Sequence, residues 1–148
     1  GYMTKTIYQA HSIEETRAIA AELAQHLVGG EFIALIGDLG AGKTTFTQGL
    51  VAAIGSSSRV KSPTFTVMNE YAVSSHPTIR KVVHCDFYRF TKAEELGALE
   101  LDEYRRLDTV IVAEWPDALP TVAWEPTYTV RIDHKDEHSR VITIEEGV

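Results

Sequence analysis

The sequence contains few of the features that mark secreted or membrane proteins. Cys85 is the only cysteine, which excludes an internal disulfide and is typical of proteins from a reducing compartment. The longest apolar runs, such as residues 109–113, are far too short to span a bilayer. No apolar run near the N-terminus resembles a signal peptide. These absences predict a cytoplasmic protein that does not insert into a membrane.

Positive charge is also scarce. The chain carries 14 Lys and Arg against 21 Asp and Glu, which gives a formal net charge of −7 at pH 7. Proteins that bind nucleic acids on their own usually present a basic face, because contacts with phosphates dominate their affinity. The basic residues here are scattered along the chain, so the sequence disfavours independent binding of DNA or RNA.

What remains is the composition of one ordinary globular domain. The 148 residues are 44% hydrophobic and 24% charged, and they show no repeat, no low-complexity segment and no long linker. Gly1 and Tyr2 precede Met3 and are interpreted as a cloning remnant. A single domain is therefore expected over residues 3–148.

Hydrophobic patterning predicts an α/β fold. Residues 32–36 are a continuous apolar run, and residues 109–114 contain another at 110–113, as expected for strands that are covered on both faces. Ser12 and Glu15 form a capping-box pattern that predicts the start of a helix, and a second helix is expected from Lys43 onward. The first helix is expected to carry an apolar stripe with helical spacing, formed by Ile13, Ala20, Leu23, Ala24 and Leu27.

The remaining segments predict one more helix and two hairpins. Thr91 and Glu94 form another capping-box pattern, which opens a short helix through about residue 99. Runs of strand-forming residues separated by turn residues predict antiparallel additions to the sheet. The strands expected to pair are residues 66–73 with 79–87, and residues 127–133 with 140–145.

The feature that carries chemistry is the segment Gly-Asp-Leu-Gly-Ala-Gly-Lys-Thr at residues 37–44, which matches the phosphate-binding P-loop pattern. A loop that wraps a phosphate must aim several backbone N–H groups inward, in conformations that glycine adopts at little cost. A helix that begins near Lys43 adds the positive end of its dipole. The sequence therefore predicts a P-loop NTPase-like domain, with a mixed sheet and helices on both of its faces.

Roles at this site follow from side-chain chemistry. Lys43 is expected to place its charge on the β- and γ-phosphates, and the Thr44 hydroxyl is a hard oxygen ligand for Mg²⁺. The expected cofactors are ATP or ADP and Mg²⁺; ATP is favoured over GTP only because the sequence lacks the Asn-Lys-x-Asp signature of guanine recognition. The loop residues expected to bind nucleotide are Asp38, Leu39, Gly40, Ala41, Gly42, Lys43, Thr44 and Thr45.

A P-loop protein also needs an acidic residue near the metal, usually at the end of a neighbouring hydrophobic strand. Asp86 and Glu114 both end apolar runs, and both fit. One could ligate the metal while the other orients the attacking water, and the sequence does not assign the two roles. Trp115 could pack against the nucleotide or lie in the core, and His84 could relay a proton or be a structural residue.

Four motifs, in order along the chain, carry a resemblance to a known family. They are residues 37–45, Ser-Pro-Thr-Phe at 62–65, His-Cys-Asp-Phe-Tyr-Arg at 84–89 and Glu-Trp-Pro at 114–116. The chain resembles the TsaE (YjeE) family, which are small bacterial ATPases of the tRNA threonylcarbamoyladenosine pathway. The P-loop alone is generic, whereas the second and third motifs at these spacings are specific. The resemblance extends over essentially the whole chain from Met3.

The resemblance implies a function. Proteins of this family bind ATP and act with TsaD and TsaB, which attach threonylcarbamoyl to an adenosine next to the anticodon of tRNA. On this reading, ATP hydrolysis resets or cycles the complex rather than making the modified base. The chain would then meet tRNA only indirectly, through its partners, which agrees with its net charge of −7.

The resemblance also implies residue roles. Residues 62–65 would form a switch-like loop near the γ-phosphate, so that Thr64 joins the nucleotide contacts. Thr44 and Glu114 would hold Mg²⁺, and Trp115 would lie near the nucleotide. Asp86 would be an essential acid near the site. The residues predicted to be catalytic are then Lys43, Asp86 and Glu114.

Three functional hypotheses remain open at this point. The first is a partner-dependent ATPase, because the chain has little room for a second substrate pocket and no obvious arginine finger beyond Arg89, Arg105 or Arg106. Slow turnover in isolation follows from that hypothesis. The second is a small-molecule kinase, for which residues 89–106 are a poor candidate for an arginine-bearing lid. The third is a binding module gated by nucleotide, in which hydrolysis has no role.

Overall fold

The structure, a computed structural model, describes residues 4–38, 40–56, 68–87, 101–115 and 125–147, with the backbone alone at 101 and 102. The predictions for Leu39, for residues 62–65 including Thr64, for Arg89 and for a helix at 91–99 lie outside the described residues. The helices and strands of the described part are β1 (Lys5–Ala10), α1 (Ile13–Ala24), β2 (Phe32–Gly37), α2 (Lys43–Ile54), β3 (Met68–Ala72), β4 (Lys81–Asp86), β5 (Thr109–Trp115), β6 (Tyr128–His134) and β7 (Arg140–Glu146), with a short 3₁₀ helix at Leu101–Tyr104.

The described strands form one mixed sheet in the order β1-β7-β6-β2-β5-β4-β3. Strands β6, β2, β5 and β4 run parallel to one another in the middle. The other strands join through antiparallel pairings, β3 with β4, β7 with β6, and β1 with β7. Both predicted hairpins are confirmed, β3 with β4 and β6 with β7. The predicted α/β class with a mixed sheet is therefore confirmed as well.

Helix α1 begins at the predicted cap. The Ser12 hydroxyl accepts a hydrogen bond from the Glu15 N–H at 3.1 Å, while the Glu15 carboxylate accepts one from the His11 N–H, also at 3.1 Å. The later residues of the apolar stripe are buried, whereas Ile13 is 55% exposed. Ile13 has the spacing of the apolar stripe, but it stands in the first turn, at the rim of a surface cavity that Thr16 also lines.

Helix α2 packs closely against α1. A Cβ at Gly49 would lie 2.8 Å from both the Cα and the carbonyl oxygen of Arg17, so glycine permits the close approach of the two helices. Across the same contact, Arg17 donates a hydrogen bond to Gln48 Oε1 at 3.0 Å. The buried residues of α2 include Phe46, Leu50, Val51 and Ile54. Neither α2 nor any other helix in the described ranges has the length and apolar character needed to cross a membrane.

The sheet has two buried faces. The face that packs against α1 and α2, called the helix face below, carries Leu35, Val82, Val112 and Val130. Both described α-helices lie on this face, so the expectation of helices on both faces depends on residues outside the described part. The opposite face, called the second face, carries a separate apolar cluster of Phe32, Ala34, Ile36, Val83, Cys85, Phe87, Ile111, Ala113 and Trp115.

Strand register brings the predicted acids to one edge of the sheet. The parallel strands β2, β5 and β4 end together, with Leu35 opposite Glu114 and Glu114 opposite Asp86. Side chains alternate between the faces along a strand, so Glu114 and Asp86 lie on the helix face with His84, whereas Trp115 lies on the second face. In sheets of this kind, ligands bind at the carboxyl ends of the parallel strands.

Candidate nucleotide-binding site

The loop between β2 and α2 has the backbone of a phosphate cradle. Gly40 and Gly42 have φ values of 81° and 108°, in the left-handed region that favours glycine. A Cβ at either residue would meet no described atom within 4 Å, so conformation and not crowding requires glycine there. Gly37 differs, because a Cβ at this residue would lie 2.7 Å from the carbonyl oxygen of Ile132. Close packing between strands therefore requires glycine at the start of the loop.

Helix α2 presents its N-terminus to this loop. Gly42 is the N-cap residue, and as a glycine it has no side chain that could cap the first amides of the helix. The loop is closed by the Ala41 N–H, which donates to the carbonyl of the exposed Asp38 at 2.9 Å. The amides and the positive dipole end of a helix N-terminus favour an anion. The loop and the helix together therefore have the geometry of a phosphate site.

Beside the loop, Lys43 and Glu114 form a buried ion pair. Lys43 Nζ lies 3.7 Å from Glu114 Oε1, and only 7% of each side chain is exposed. Removing a charge from water is costly unless an opposite charge compensates it, which explains why the two residues are buried together. The structure thus joins the predicted phosphate-binding lysine to one of the two predicted acids.

Glu114 has a second buried partner, His84. The distance from His84 Nε2 to Glu114 Oε2 is 2.7 Å, and His84 has no exposed surface. The two residues are diagonal neighbours on adjacent strands, since His84 pairs with Val112, two residues before Glu114. Each oxygen of the Glu114 carboxylate therefore has its own partner, the ammonium group of Lys43 for Oε1 and the imidazole for Oε2.

Asp86, the other predicted acid, stands opposite Glu114 where β4 and β5 end, and it is half-buried. The Phe87 N–H donates to the Glu114 carbonyl at 2.8 Å, which holds the two strand ends together. Both acids therefore reach the same edge and the same face of the sheet. Which of them ligates a metal stays open.

The other predicted contacts lie in two different environments. Thr44 and Thr45 are half-buried in the first turn of α2, next to the loop. Trp115 is fully buried on the second face, edge-on to Phe32 and Phe87, with ring centroids 6.2 and 5.7 Å away. These are contacts of a core residue, and the predicted contact of Trp115 with the nucleotide stays a prediction.

Sequence analysis missed Arg140, the first residue of β7. Its Nε donates to the carbonyl oxygen of Ala41 at 3.0 Å, and so fixes the loop from a residue 99 positions later in the chain. Arg140 also lines a cavity of about 240 Å³ beside the loop, together with Gly42, Thr45 and His11. No signal in the sequence could have identified this contact, because it depends on the position of the β6–β7 hairpin in the sheet.

Comparison with known proteins establishes the family. The family model described as "Threonylcarbamoyl adenosine biosynthesis protein TsaE" matches residues 10–142. The chain belongs to the TsaE family. Its resemblance to that family, first seen in four short motifs, therefore extends over most of the sequence.

Individual TsaE proteins show the same relationship. The tRNA threonylcarbamoyladenosine biosynthesis protein TsaE of Bacillus subtilis is 37% identical over 131 residues, which cover 88% of this chain and 78% of that protein. The TsaE protein of Haemophilus influenzae is 35% identical over 78% of this chain and 70% of its own length. A crystal structure of YdiB from B. subtilis superposes with a TM-score of 0.71 at 30% identity, over 99% of this chain and 88% of that one. The fold is thus the P-loop NTPase-like fold of the family.

The side-chain oxygens at the edge where β2, β5 and β4 end fit Mg²⁺. This ion prefers hard oxygen ligands and retains several waters, so it needs few protein ligands. Thr44 supplies a hydroxyl at the start of α2, and Glu114 supplies a carboxylate that lies 3.7 Å from Lys43. Gly40 and Gly42 have positive φ values and open space where a Cβ would lie, which would suit phosphates bound beside the ion.

Two of the arginines considered in the sequence lie far from this edge. Arg105 Cζ is 5.2 Å from the ring centroid of Phe32, which is the first residue of β2, whereas Gly37 is the last. At about 3.3 Å per residue, the loop is roughly 16 Å further along the strand. Arg106 lines a surface cavity with Lys81 and Thr109, the first residues of β4 and β5. Neither arginine is placed to act on a phosphate bound at the loop.

Proposed function

We propose that this TsaE-family protein is cytoplasmic, binds ATP with Mg²⁺ at residues 37–45, hydrolyses it slowly, and supports the TsaB–TsaD complex in the threonylcarbamoyladenosine modification of tRNA. The observation that carries the proposal is the buried contact of Lys43 with Glu114, 3.7 Å apart, directly beside a glycine loop that opens a helix. This arrangement puts a cation, an acid and the N-terminus of a helix at the carboxyl end of one strand.

Each side chain has a distinct part in this proposal. Lys43 compensates the charge of the phosphates, and the loop amides orient them. Thr44 and Glu114 would hold Mg²⁺, which when bound neutralises charge on the phosphate oxygens. Asp86, opposite Glu114 in the strand register, is placed to orient the attacking water or accept its proton.

The buried ion pair explains why the site is suited to a charged ligand. In the structure the ammonium group of Lys43 and the carboxylate of Glu114 compensate each other. A magnesium nucleotide brings both signs of charge at once, phosphate oxygens for the lysine and a cation for the carboxylate. Binding would therefore exchange one set of compensating charges for another instead of leaving a charge buried alone.

Slow turnover is expected from the two candidate arginines that the structure describes. Arg105 and Arg106 lie at the opposite end of the sheet from the loop, and the third candidate, Arg89, lies outside the described residues. Without an arginine on the transferring phosphate, P-loop proteins hydrolyse nucleotide slowly, and a partner that supplies charge can raise the rate by several orders of magnitude. The proposal therefore assigns efficient hydrolysis to the assembled complex and leaves contacts with tRNA to the partners.

ATP turnover by the protein alone, and then with the TsaB–TsaD complex and tRNA, tests this proposal. We expect slow turnover in isolation and a clear increase when the partners are added. Robust hydrolysis by the isolated chain would contradict the argument from the arginines. Turnover that ignores the partners would reject the assigned role, and a small-molecule kinase would then become the next hypothesis to examine.

A further inference from the structure

His84 is a buried residue to which the proposed chemistry assigns no part. It has no exposed surface, and its Nε2 lies 2.7 Å from Glu114 Oε2. The other carboxylate oxygen, Oε1, faces Lys43 Nζ at 3.7 Å. The imidazole therefore contacts the side of the carboxylate that is turned away from the lysine and the phosphate loop.

The hydrogen bonding of the ring determines where its proton lies. His84 Nδ1 is buried and has no hydrogen-bond partner among the described residues. A carboxylate can only accept, so a proton on Nε2 makes the 2.7 Å contact a hydrogen bond, whereas a proton on Nδ1 would leave two acceptors facing each other. The structure is thus consistent with an imidazole that donates from Nε2 and accepts nothing at Nδ1.

The unpaired Nδ1 also argues against a purely structural residue. A buried polar atom without a partner is costly, and an apolar side chain would avoid that cost. The residue at the preceding helix-face position of β4 is Val82, which is buried and apolar. A proton relay is equally unsupported, because the described residues offer Nδ1 no onward hydrogen bond. What remains is the effect of the ring on Glu114.

We propose that His84 is a positioning residue, whose Nε2–H holds Glu114 Oε2 and so presents Oε1 to the cation at the phosphate loop. The proposal rests on the proposed function, since it concerns how the chain's own carboxylate is aimed at Mg²⁺. Groups that hydrogen-bond a metal ligand fix its orientation, and their removal typically weakens metal affinity about 10- to 100-fold. His84 acts through Glu114 and touches neither the nucleotide nor the metal.

Two variants of equal side-chain length test the hydrogen bond. His84→Gln keeps an N–H donor at about the reach of Nε2, whereas His84→Met fills similar space without a donor. ATP binding is measured by calorimetry for wild type and both variants, in EDTA and over a series of Mg²⁺ concentrations, with the melting temperature of each. We expect the Mg²⁺ concentration for half-maximal binding to rise about tenfold or more in His84→Met, and to stay within about threefold of wild type in His84→Gln.

The outcomes separate this inference from the proposed function. Absence of ATP binding by the wild type would reject the proposed function itself. Magnesium-dependent binding by the wild type, with equal Mg²⁺ dependence in the two variants, would overturn the role of His84 alone. Equal losses of melting temperature in both variants, with a difference only in Mg²⁺ dependence, would support it.

A measurement on the unaltered protein covers the case in which the variants do not fold. In wild type labelled with ¹⁵N at histidine, NMR reports which ring nitrogen carries the proton. We expect a protonated, hydrogen-bonded Nε2 for the buried His84. A proton on Nδ1 with a bare Nε2 would overturn the proposal, since the ring could not then hold the carboxylate.

Discussion

Glu114 and Trp115 are adjacent in the chain, yet their side chains lie in the two most different environments of the molecule. On the helix face, Glu114 is buried between Lys43 and His84, so charge and a polar ring replace apolar packing. On the second face, Trp115 is fully buried between Phe32 and Phe87. A single step along one strand therefore separates a costly polar cluster from an apolar core.

The two faces of the sheet have different roles, stability for the second face and a functional site for the helix face. The second face is apolar throughout its described cluster and contributes stability through burial and ring packing. The helix face is equally apolar away from the loop, but it contains buried charge at the edge where the parallel strands end. Buried charges are weak evidence for stability, and a functional site is the usual reason to retain them. Substitutions on the two faces should therefore change different measured quantities.

The largest expected effect is on the second face. Trp115→Ala removes a fully buried indole, and we expect the free energy of unfolding to fall by about 3–5 kcal/mol, measured by denaturant titration. Ile13→Ala, at a residue that is 55% exposed, is the control and should change it little. The milder Trp115→Phe should bind ATP as the wild type does. Weak ATP binding by that folded variant would instead place the indole at the nucleotide and break the contrast.

The corresponding change on the helix face is Lys43→Ala. We expect ATP affinity to fall about 10- to 100-fold, because charged hydrogen bonds to the phosphates are lost, while the protein still unfolds cooperatively. Lys81→Ala is the matched control, since Lys81 is an exposed lysine paired with Glu70 at the opposite end of β4. Calorimetry with ATP measures both variants, and equal affinities in Lys43→Ala and wild type would contradict the site.

A smaller effect is expected from Glu114→Gln, which keeps the size of the side chain and an oxygen for His84 but removes the charge. We expect the Mg²⁺ concentration needed for ATP binding to rise about tenfold, with little change in binding measured in EDTA. Glu70→Gln, at an exposed glutamate, serves as the control. A Mg²⁺ dependence identical to that of wild type would indicate Asp86 as the metal ligand.

The smallest effect concerns Cys85 on the second face. Burial, with a smaller contribution from the nearby Asp86 charge, raises the pKa of its thiol from 9.0 to about 12. The folded protein therefore holds the thiol proton more tightly than the unfolded chain does. The contribution of this thiol to the free energy of unfolding is complete below pH 9 and is lost as the pH rises toward about 12.

Denaturant titrations at a series of pH values above 9 measure this loss, and a thiol reagent at pH 8 tests the burial that causes it. Cys85 has no exposed surface, so we expect it to react only after unfolding, at a rate that follows global unfolding. Rapid labelling of the native protein would show that the second face opens locally, and would contradict the view that this face contributes stability through burial.

Local signals made part of this structure predictable. Apolar runs predicted β2 and β5, the glycine spacing predicted the loop and α2, and both hairpins were identified from their strand patterns. These features depend on short stretches of chain, which is why they can be read in sequence. The strand-end positions of Asp86 and Glu114 belong to the same class.

The remaining features depend on how distant segments meet. The contact of His84 with Glu114 requires the register of β4 against β5, and Arg140 reaches Ala41 across 99 positions. The exposure of Ile13 was missed because spacing alone does not show where the packed layer ends. For Trp115, the sequence left core and nucleotide contacts open, and only strand alternation places the side chain on the second face.

Calorimetric titration of the wild-type protein with ATP, first with Mg²⁺ and then in EDTA, tests whether this chain has a magnesium nucleotide site. We expect saturable binding of one nucleotide per chain that is clearly tighter with Mg²⁺, because the buried carboxylate of Glu114 then gains a cation. Absence of binding, or binding that is indifferent to Mg²⁺, would contradict the assignment of Lys43, Thr44 and Glu114 to a magnesium nucleotide site.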